Sequence, residues 1–315
     1  MTKPTLIDPA AFVEECDKIT ANIDRLLTDG KPKMDDAEYH AHDAVSKTKL
    51  NHFAKSIGDY WHYYIAKDLP VPGPSGAMNI GTAVHAALLE KCDVDQIIAT
   101  YPDSCLKSNG AINPKPAAQF REDNSDKLVM KDADADRVRE VCSAVMTSPL
   151  SPLIYHPEAV FEQPVIWTCE RTGLQCRAKP DFYIDMGDEV VAYDLKTTEQ
   201  VYPQPINRTC KTLRYWLQDA HYSDGLANKF GKPVRFRFWF VETKSPCRVA
   251  PWWYDQRSRE IASEKHSALM TELAACMKDN DWRERWERNG ENLLQLSPWD
   301  VDASEEGEVA YVGEE

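Results

Sequence analysis

Apolar residues recur at helical spacing over residues 10–29 and the pattern stops at Gly30, which predicts an N-terminal helix. Residues 31–45 are polar and predict a loop. A second helical run extends from Ser46 to about Lys67, and three prolines and two glycines between Asp68 and Met78 end it. The next helix begins near Asn79. Residues 101–130 are polar and irregular, which predicts a long loop or insertion. From about residue 158 the pattern turns strand-like, over 159–170, 174–184 and 189–197. A helix over 211–229 follows, then a period-two strand over 234–242 in which Val234, Phe236, Phe238 and Phe240 share one face. Residues 247–255 predict a further strand, and a helix over 257–278 closes the compact part. Helices, then strands, then helix, then strand predict an α/β or α+β fold with a mixed central sheet flanked by helices. The chain divides into a helical extension (1–37), a main domain (38–300) and an acidic tail (301–315) too poor in core residues to fold.

Composition narrows this picture. Hydrophobic content of 43% over 315 residues is ample for a buried core. No run reaches membrane-spanning length and the N-terminus has no apolar signal core, so a cytoplasmic protein is expected. The nine cysteines are scattered without a Cys-x-x-Cys pair, which predicts reduced thiols and argues against a thiolate-held cluster. The net charge of −14 argues against nucleic acid as a partner, although a sum of charges can hide a local basic groove.

Candidate chemistry sits in residues 177–200. Asp194 and Lys196 are two apart in a strand and therefore share a face, and Asp181 ends the preceding run. If the two runs form a hairpin, Asp181 and Asp194 converge on a hard oxygen site suited to Mg²⁺ or Mn²⁺, with the carbonyl of Leu195 as a further ligand. Lys196 then stands beside a metal-bound water, which is equipment for phosphodiester hydrolysis. A hairpin with surface Asp and Lys residues fits the same letters.

Other residues add to this reading. Gly81 and His85 lie four apart on one helical face, so a close-packed helix can present the imidazole to the sheet; a core histidine is the alternative. Glu90 falls about 140° round that helix and reads as solvated. Gln218 and Tyr222, again four apart, can hydrogen-bond a phosphate or base, or form an ordinary polar helix edge. Ser46, Lys47, Thr48 and Lys49 open a helix, where hydroxyls, lysines and a helix N-terminus can hold a terminal phosphate; equally, Ser46 can be an N-cap with lysines in solvent. His40 and His42 lack partners at zinc spacing, and His221 and Asp219 face away from the candidate site.

In this order, Gly81/His85, Pro180/Asp181, Asp194/Lys196/Thr197 and Gln218/Tyr222 resemble the RecB-type nucleases of the PD-(D/E)xK superfamily. The text over 39–61 and 236–250 is similar to the nuclease domain of the RecE-type prophage exonucleases (exodeoxyribonuclease VIII). The resemblance covers about residues 38–300. It implies a restriction-endonuclease-like core and a 5′→3′ exonuclease on linear duplex DNA that leaves 3′ single strands. It also implies a ring-shaped homo-oligomer working with a RecT-like single-strand annealing protein. By motif match, His85, Asp181 and Asp194 become metal ligands with the Leu195 carbonyl, Lys196 activates water, and Gln218 and Tyr222 line the site. Thr48 and Lys49 fall where the related lambda exonuclease contacts a 5′-phosphate. A ring reconciles the acidic charge with DNA through a basic channel, for which Lys47, Lys49, Arg177, Lys179, Lys211 and Arg214 are the candidates. Cysteines are absent from the clustered positions of the iron–sulfur members, so no such cluster is expected. An endonuclease on the same core, or an inactive scaffold that binds DNA ends for an annealing protein, fits the same sequence.

Overall fold

The computed structural model describes residues 34, 36–72, 78–90, 93–288 and 290. The expected helix over 10–29 and the tail over 301–315 lie outside these residues. At the centre is a five-stranded sheet in the order β3–β6–β7–β8–β9: β3 (Ala159–Phe161), β6 (Phe182–Asp185), β7 (Val190–Thr198), β8 (Val234–Glu242) and β9 (Val249–Trp252). Within this sheet only the β7–β8 pair is parallel, and it aligns Asp194 with Phe238 and Lys196 with Phe240. A parallel pair needs a long crossover, and the segment between β7 and β8 supplies one as two helices. The mixed sheet flanked by helices is the expected architecture.

Both faces of the sheet are covered. The even positions of β7 and β8 (Val190, Ala192, Phe236, Phe238, Phe240) pack with α2 (Lys47–Lys55), α10 (Tyr215–Phe230) and α11 (Gln256–Asp279) through Leu50, Phe53, Leu217, Leu226, Met270 and Leu273. The odd positions (Val191, Tyr193, Leu195, Trp239, Val241) pack with α4 (Met78–Leu89) and α7 (Asp132–Met146) through Val84, Leu88, Val138 and Val141. Phe236, Phe238 and Phe240 are at most 1% exposed, and each contributes about 2–3 kcal/mol by leaving water. Among the described residues no helix is long and apolar enough to cross a membrane.

Several expected elements are divided. The single helix over 46–67 is three pieces: α2, the short α3 (Ile57–Tyr60) and a π-helical turn (Trp61–Ala66). Ser56, extended at φ −154° and ψ 127°, ends α2 and caps α3 by accepting the Asp59 N–H. The break is stable because Glu284, far along the chain, accepts the N–H groups of Ile57 and Gly58 and the Ser56 hydroxyl. The polar stretch 31–45 contains α1 (Asp36–Ala41) and then lays Val45 beside Cys176 as a parallel bridge.

The run 174–184 is two strands, not one. Pro180 offers no N–H to a ladder, so β5 (Gln175–Ala178) pairs with β4 (Val165–Thr168) in a separate ribbon, and β6 enters the main sheet. The run 159–170 likewise divides into β3 and β4 around Glu162, at φ +45°.

The expected loop 101–130 carries structure: a 3₁₀ turn (Asp103–Cys105), α6 (Pro114–Asp123) with Pro114 in its first turn, and β2 (Leu128–Met130), parallel to β1 (Ile98–Thr100) after the short α5 (Val94–Ile97). Tyr101, Cys105 and Ala117 give it a small core of its own. The helix predicted over 211–229 is α10, preceded by a separate α9 (Pro203–Thr212), because Arg214 at φ +50° turns the chain between them. Two short helices, α8 (Ser151–Ile154) and α12 (Arg285–Arg288), complete the set.

A buried histidine pair joins α10, α11 and β5. His221 Nε2 donates to the Arg177 carbonyl at 3.1 Å, and its Nδ1 accepts from His266 Nε2 at 3.0 Å. Burial, then the neighbouring His266, lowers the His221 pKa to about 3, so both rings are held neutral. A base whose folded pKa lies below its unfolded value stabilises the fold above pH 6.5 and loses that contribution as pH falls. Stability is therefore expected to drop between pH 7 and pH 5. His221→Gln should make that drop smaller by about 2 kcal/mol. Chemical denaturation at the two pH values measures it; equal slopes in parent and variant would remove the pair as the cause.

Candidate active site

The site forms where the β6–β7 hairpin opens. Phe182 faces Tyr193 in the antiparallel register, so Asp181 and Asp194 stand at the next step, beyond the last ladder pair. There the Asp181 carboxylate takes the place of a strand partner: its Oδ2 accepts the Leu195 N–H at 2.6 Å. The Asp181 carbonyl accepts the Glu162 N–H at 2.9 Å, which ties the same residue to the end of β3. Pro180 stops β5 just before this point. One break in the ladder therefore places a carboxylate where its side chain, rather than its backbone, meets the central strand.

Asp194 is 2% exposed and is held from two sides. Lys196, two residues on and on the same face, pairs with its Oδ1, and Gln218 Nε2 on α10 donates to its Oδ2. Gln218 is itself 4% exposed, so it fixes the carboxylate rather than sampling solvent. Tyr222, one helical turn on, faces the same pair of carboxylates. Burial, then Tyr39 and the two aspartates, holds its phenol far above the ordinary range, and it stays a hydrogen-bond donor.

From the other face of the sheet α4 brings His85. Its Nε2 donates to the Leu195 carbonyl at 2.7 Å, and its Nδ1 is 3.5 Å from Asp181 Oδ2. Gly81 makes the approach feasible: a Cβ there would stand 3.1 Å from the Thr197 hydroxyl. The sequence reading of Gly81 as a close-packing position agrees with this contact.

The electrostatics turn on two carboxylates sharing a dry corner. Burial, then the Asp194 charge, pushes Asp181 up to about 6, and His85 and Lys196 pull against that. For Lys196, burial favours the neutral amine, but Asp194, Tyr215 and Asp181 together outweigh it and hold the ammonium above its usual range. Lys47 is a second cation here. Burial, then Lys196, lowers it to about 8 against the pull of Asp194, and its Nζ lies 5.5 Å from the Tyr215 ring centre. Lys196 Nζ lies 5.3 Å from the same ring. Tyr215 was not singled out in the sequence, yet it lies three residues before Gln218, on the same helical face.

The donor set fits a hard divalent cation: two carboxylates, a backbone carbonyl and an imidazole. His85 meets both Asp181 and the Leu195 carbonyl directly. Asp194 is engaged with Lys196 and Gln218, and among the described residues no three His, Cys, Asp or Glu side chains form a ready-made cage.

The expected phosphate and channel residues divide. Ser46 caps α2 by accepting the Lys49 N–H at 3.3 Å. Thr48 is exposed on α2, and Lys211 is exposed in the last turn of α9. Lys49 is 9% exposed and turns inward, its Nζ donating to the Asp43 carbonyl at 2.7 Å. Arg214 clamps α10 to α2 through the Asn51 carbonyl and side chain, at 3.2 and 3.0 Å. Arg177 is buried against the Tyr39 ring, and Lys179 is half-buried 3.9 Å from Glu162. Lys49, Arg177 and Arg214 therefore serve packing in this chain, and Lys47 is the lysine of the Ser46–Lys49 stretch that reaches the carboxylates.

Replacing Lys196 by Met leaves buried Asp194 and slightly exposed Asp181 without their nearest cation and is expected to cost about 3 kcal/mol at pH 7.5. An acid whose folded pKa is raised stabilises the fold only while protonated, below about pH 4–6, and loses that as pH rises. The penalty of Lys196→Met should therefore shrink at pH 5, in thermal unfolding at both pH values. A penalty independent of pH would dissociate Lys196 from the carboxylate pair.

Comparison with known proteins bears on this arrangement. A solved structure from Eubacterium rectale, described as a presumed exonuclease, superposes with a TM-score of 0.54 at 11% identity, over 87% of this chain and all of that one. At that identity the likeness shows a shared fold. A second solved chain, SSO0001, is 12% identical over 62% of this chain and 87% of its own, and its TM-score of 0.25 carries no argument. A search of curated proteins finds no match. The model of the family described as a PDDEXK-like domain of unknown function (DUF3799) matches residues 46–289, a span that contains His85, Asp181, Asp194, Lys196 and Gln218. With its restriction-endonuclease-like fold, the chain belongs to this PDDEXK-like family.

Proposed function

We propose that the chain is a metal-dependent nuclease that hydrolyses DNA phosphodiesters, and within that class a Mg²⁺-dependent exonuclease on linear duplex DNA. The observation that carries the reading is the meeting of Asp181, Asp194, the Leu195 carbonyl, His85 and Lys196 at one end of the β6–β7 hairpin. His85, Asp181, Asp194 and the Leu195 carbonyl would hold Mg²⁺, with Mn²⁺ as a substitute. A divalent ion there supplies Lewis-acid polarisation of the phosphate and lowers the pKa of bound water.

The chain's own residues do the rest. Lys196, as a cation beside Asp194, orients the attacking water and offsets charge that grows on the phosphate oxygens. Gln218 keeps the Asp194 carboxylate in one orientation. Tyr222, protonated, offers a hydrogen-bond donor at the edge of the site. Lys47 adds a second positive charge on the side of α2. Phe238 and Phe240, the β8 partners of Asp194 and Lys196, form the dry floor that strengthens these interactions.

The finer assignments rest on the sequence resemblance to RecE-type exonucleases: 5′→3′ polarity, 3′ single-stranded product, a ring-shaped homo-oligomer and a RecT-like annealing partner; a cytoplasmic setting rests on the scattered cysteines. The exonuclease description of the Eubacterium rectale structure supports the same class.

Digestion of 5′-phosphorylated linear duplex should release nucleotides with Mg²⁺ and not with Ca²⁺ or EDTA. Asp194→Ala and Lys196→Ala should each lower the rate by at least about 100-fold. A covalently closed plasmid should survive, and its cleavage would make the enzyme an endonuclease. Mg²⁺ should also raise the unfolding free energy of the parent by about 2.7 kcal/mol at 100 times its Kd, and leave Asp181→Asn unmoved. An equal shift in both proteins would place the ion elsewhere.

A further inference from the structure

A second cleft, of about 720 Å³, lies on the other side of α10 from the carboxylates. Gln218 turns to Asp194, whereas its neighbour Asp219 turns into this cleft and pairs with Arg259 at 3.3 Å. The volume is that of a small-molecule site.

Its charges are unequally matched. The acidic groups that line it each have a protein partner, although Asp219 is engaged through Oδ1 alone and its buried Oδ2 has none. Asp219 also accepts from the Ser223 hydroxyl at 3.0 Å, Asp224 accepts from Trp167 Nε1 at 3.1 Å, and Asp255 caps α11 by accepting the Ser258 N–H at 2.8 Å. Four arginines and four carboxylates line the cleft, and the imbalance lies in their pairing: Arg259 pairs with Asp219 and Arg235 with Glu189. Among the described residues, Arg171 and Arg237 have no hydrogen bond or ion pair to a side chain or carbonyl. Arg237 is half-buried, and burial together with Arg235 lowers its pKa, as expected of a guanidinium short of negative charge. Its guanidinium carbon stacks 4.2 Å from the centre of the Trp253 ring. Trp253 is itself 55% exposed, a large indole left in water at the mouth of the cleft.

A planar aromatic surface backed by one guanidinium, with a second unpaired arginine in the same cleft, matches a base and its phosphate. We propose that this cleft binds a nucleotide unit, its base stacked on Trp253 and its phosphate held by Arg171 and Arg237. The same chemistry is carried by a free mononucleotide and by a nucleotide within a single strand. Binding here needs no hydrolysis and no metal, so it stands apart from the catalytic reading.

The test uses the full chain carrying Asp194→Asn, in EDTA, with dTMP and a twelve-residue oligothymidylate as probes. Tryptophan fluorescence reports stacking, and anisotropy of the labelled oligomer reports affinity. The oligomer should quench fluorescence, and Trp253→Ala should abolish that quench. Arg237→Ser and the surface reversal Arg171→Glu should each weaken binding by about tenfold. A quench by dTMP alone assigns the cleft to free nucleotide; a quench by the oligomer alone assigns it to a strand. Because Trp253 and Arg171 are exposed, these variants keep the fold, which circular dichroism checks. Affinity and quench unchanged in all three variants would overturn the proposal. So would a cleft that binds oligoglutamate and neither thymidylate probe. Nuclease activity is measured separately in proteins with Asp194 intact, so loss of one reading leaves the other standing.

Discussion

Two close carboxylates repel each other, and this repulsion organises the candidate site and the elements around it. Asp194 is buried and Asp181 slightly exposed across the open end of a hairpin, so solvent screens their repulsion only weakly. Each nearby polar group answers that charge. The Leu195 N–H and the His85 ring bind Asp181; Lys196 and Gln218 bind Asp194; Lys47 stands behind. These groups come from α2, α4, β7 and α10, so the charge pair holds elements from both faces of the sheet in register. Such a cluster is poor for stability and well suited to receiving a cation.

Packing makes that arrangement rigid. The phenylalanines of β8 fill one face beneath Asp194 and Lys196, and α10 rests on them through Leu217 and Leu226. Gly225 lets Trp167 lie against α10, since a Cβ there would come within 2.6 Å of the indole. Gln218 therefore reaches Asp194 from a helix whose position is set elsewhere. The second cleft shares that helix, so both sites depend on its placement.

The site was legible because its signals are local. A two-residue strand spacing, an aspartate after proline and two four-residue helical spacings each fix a direction before any tertiary contact is known. The alternation of β8 was legible for the same reason. What escaped depends on distant partners. The break at Ser56 needs Glu284. The division of 174–184 follows from Pro180 in hindsight, but the run reads as one strand until its two ladders are known. α7 and the elements between residues 101 and 130 are polar on the outside, and their buried faces are only a few residues wide. Lys49, Arg177 and Arg214 read as DNA contacts by charge alone. Their engagement with Asp43, Tyr39 and Asn51 is a property of the folded chain.

The Glu284 cap has a consequence for the order in which this chain can be finished. The corner between α2 and α3 is closed by a carboxylate 226 to 228 residues later in the chain. Lys47 sits on the helix that this corner anchors. A ribosome-bound chain lacking its last segments would hold the carboxylate hairpin but leave the corner's N–H donors unmet. The cationic side of the site would then settle only after synthesis passes α11. Lys47 would take its place beside the carboxylates only in a chain that already contains Glu284.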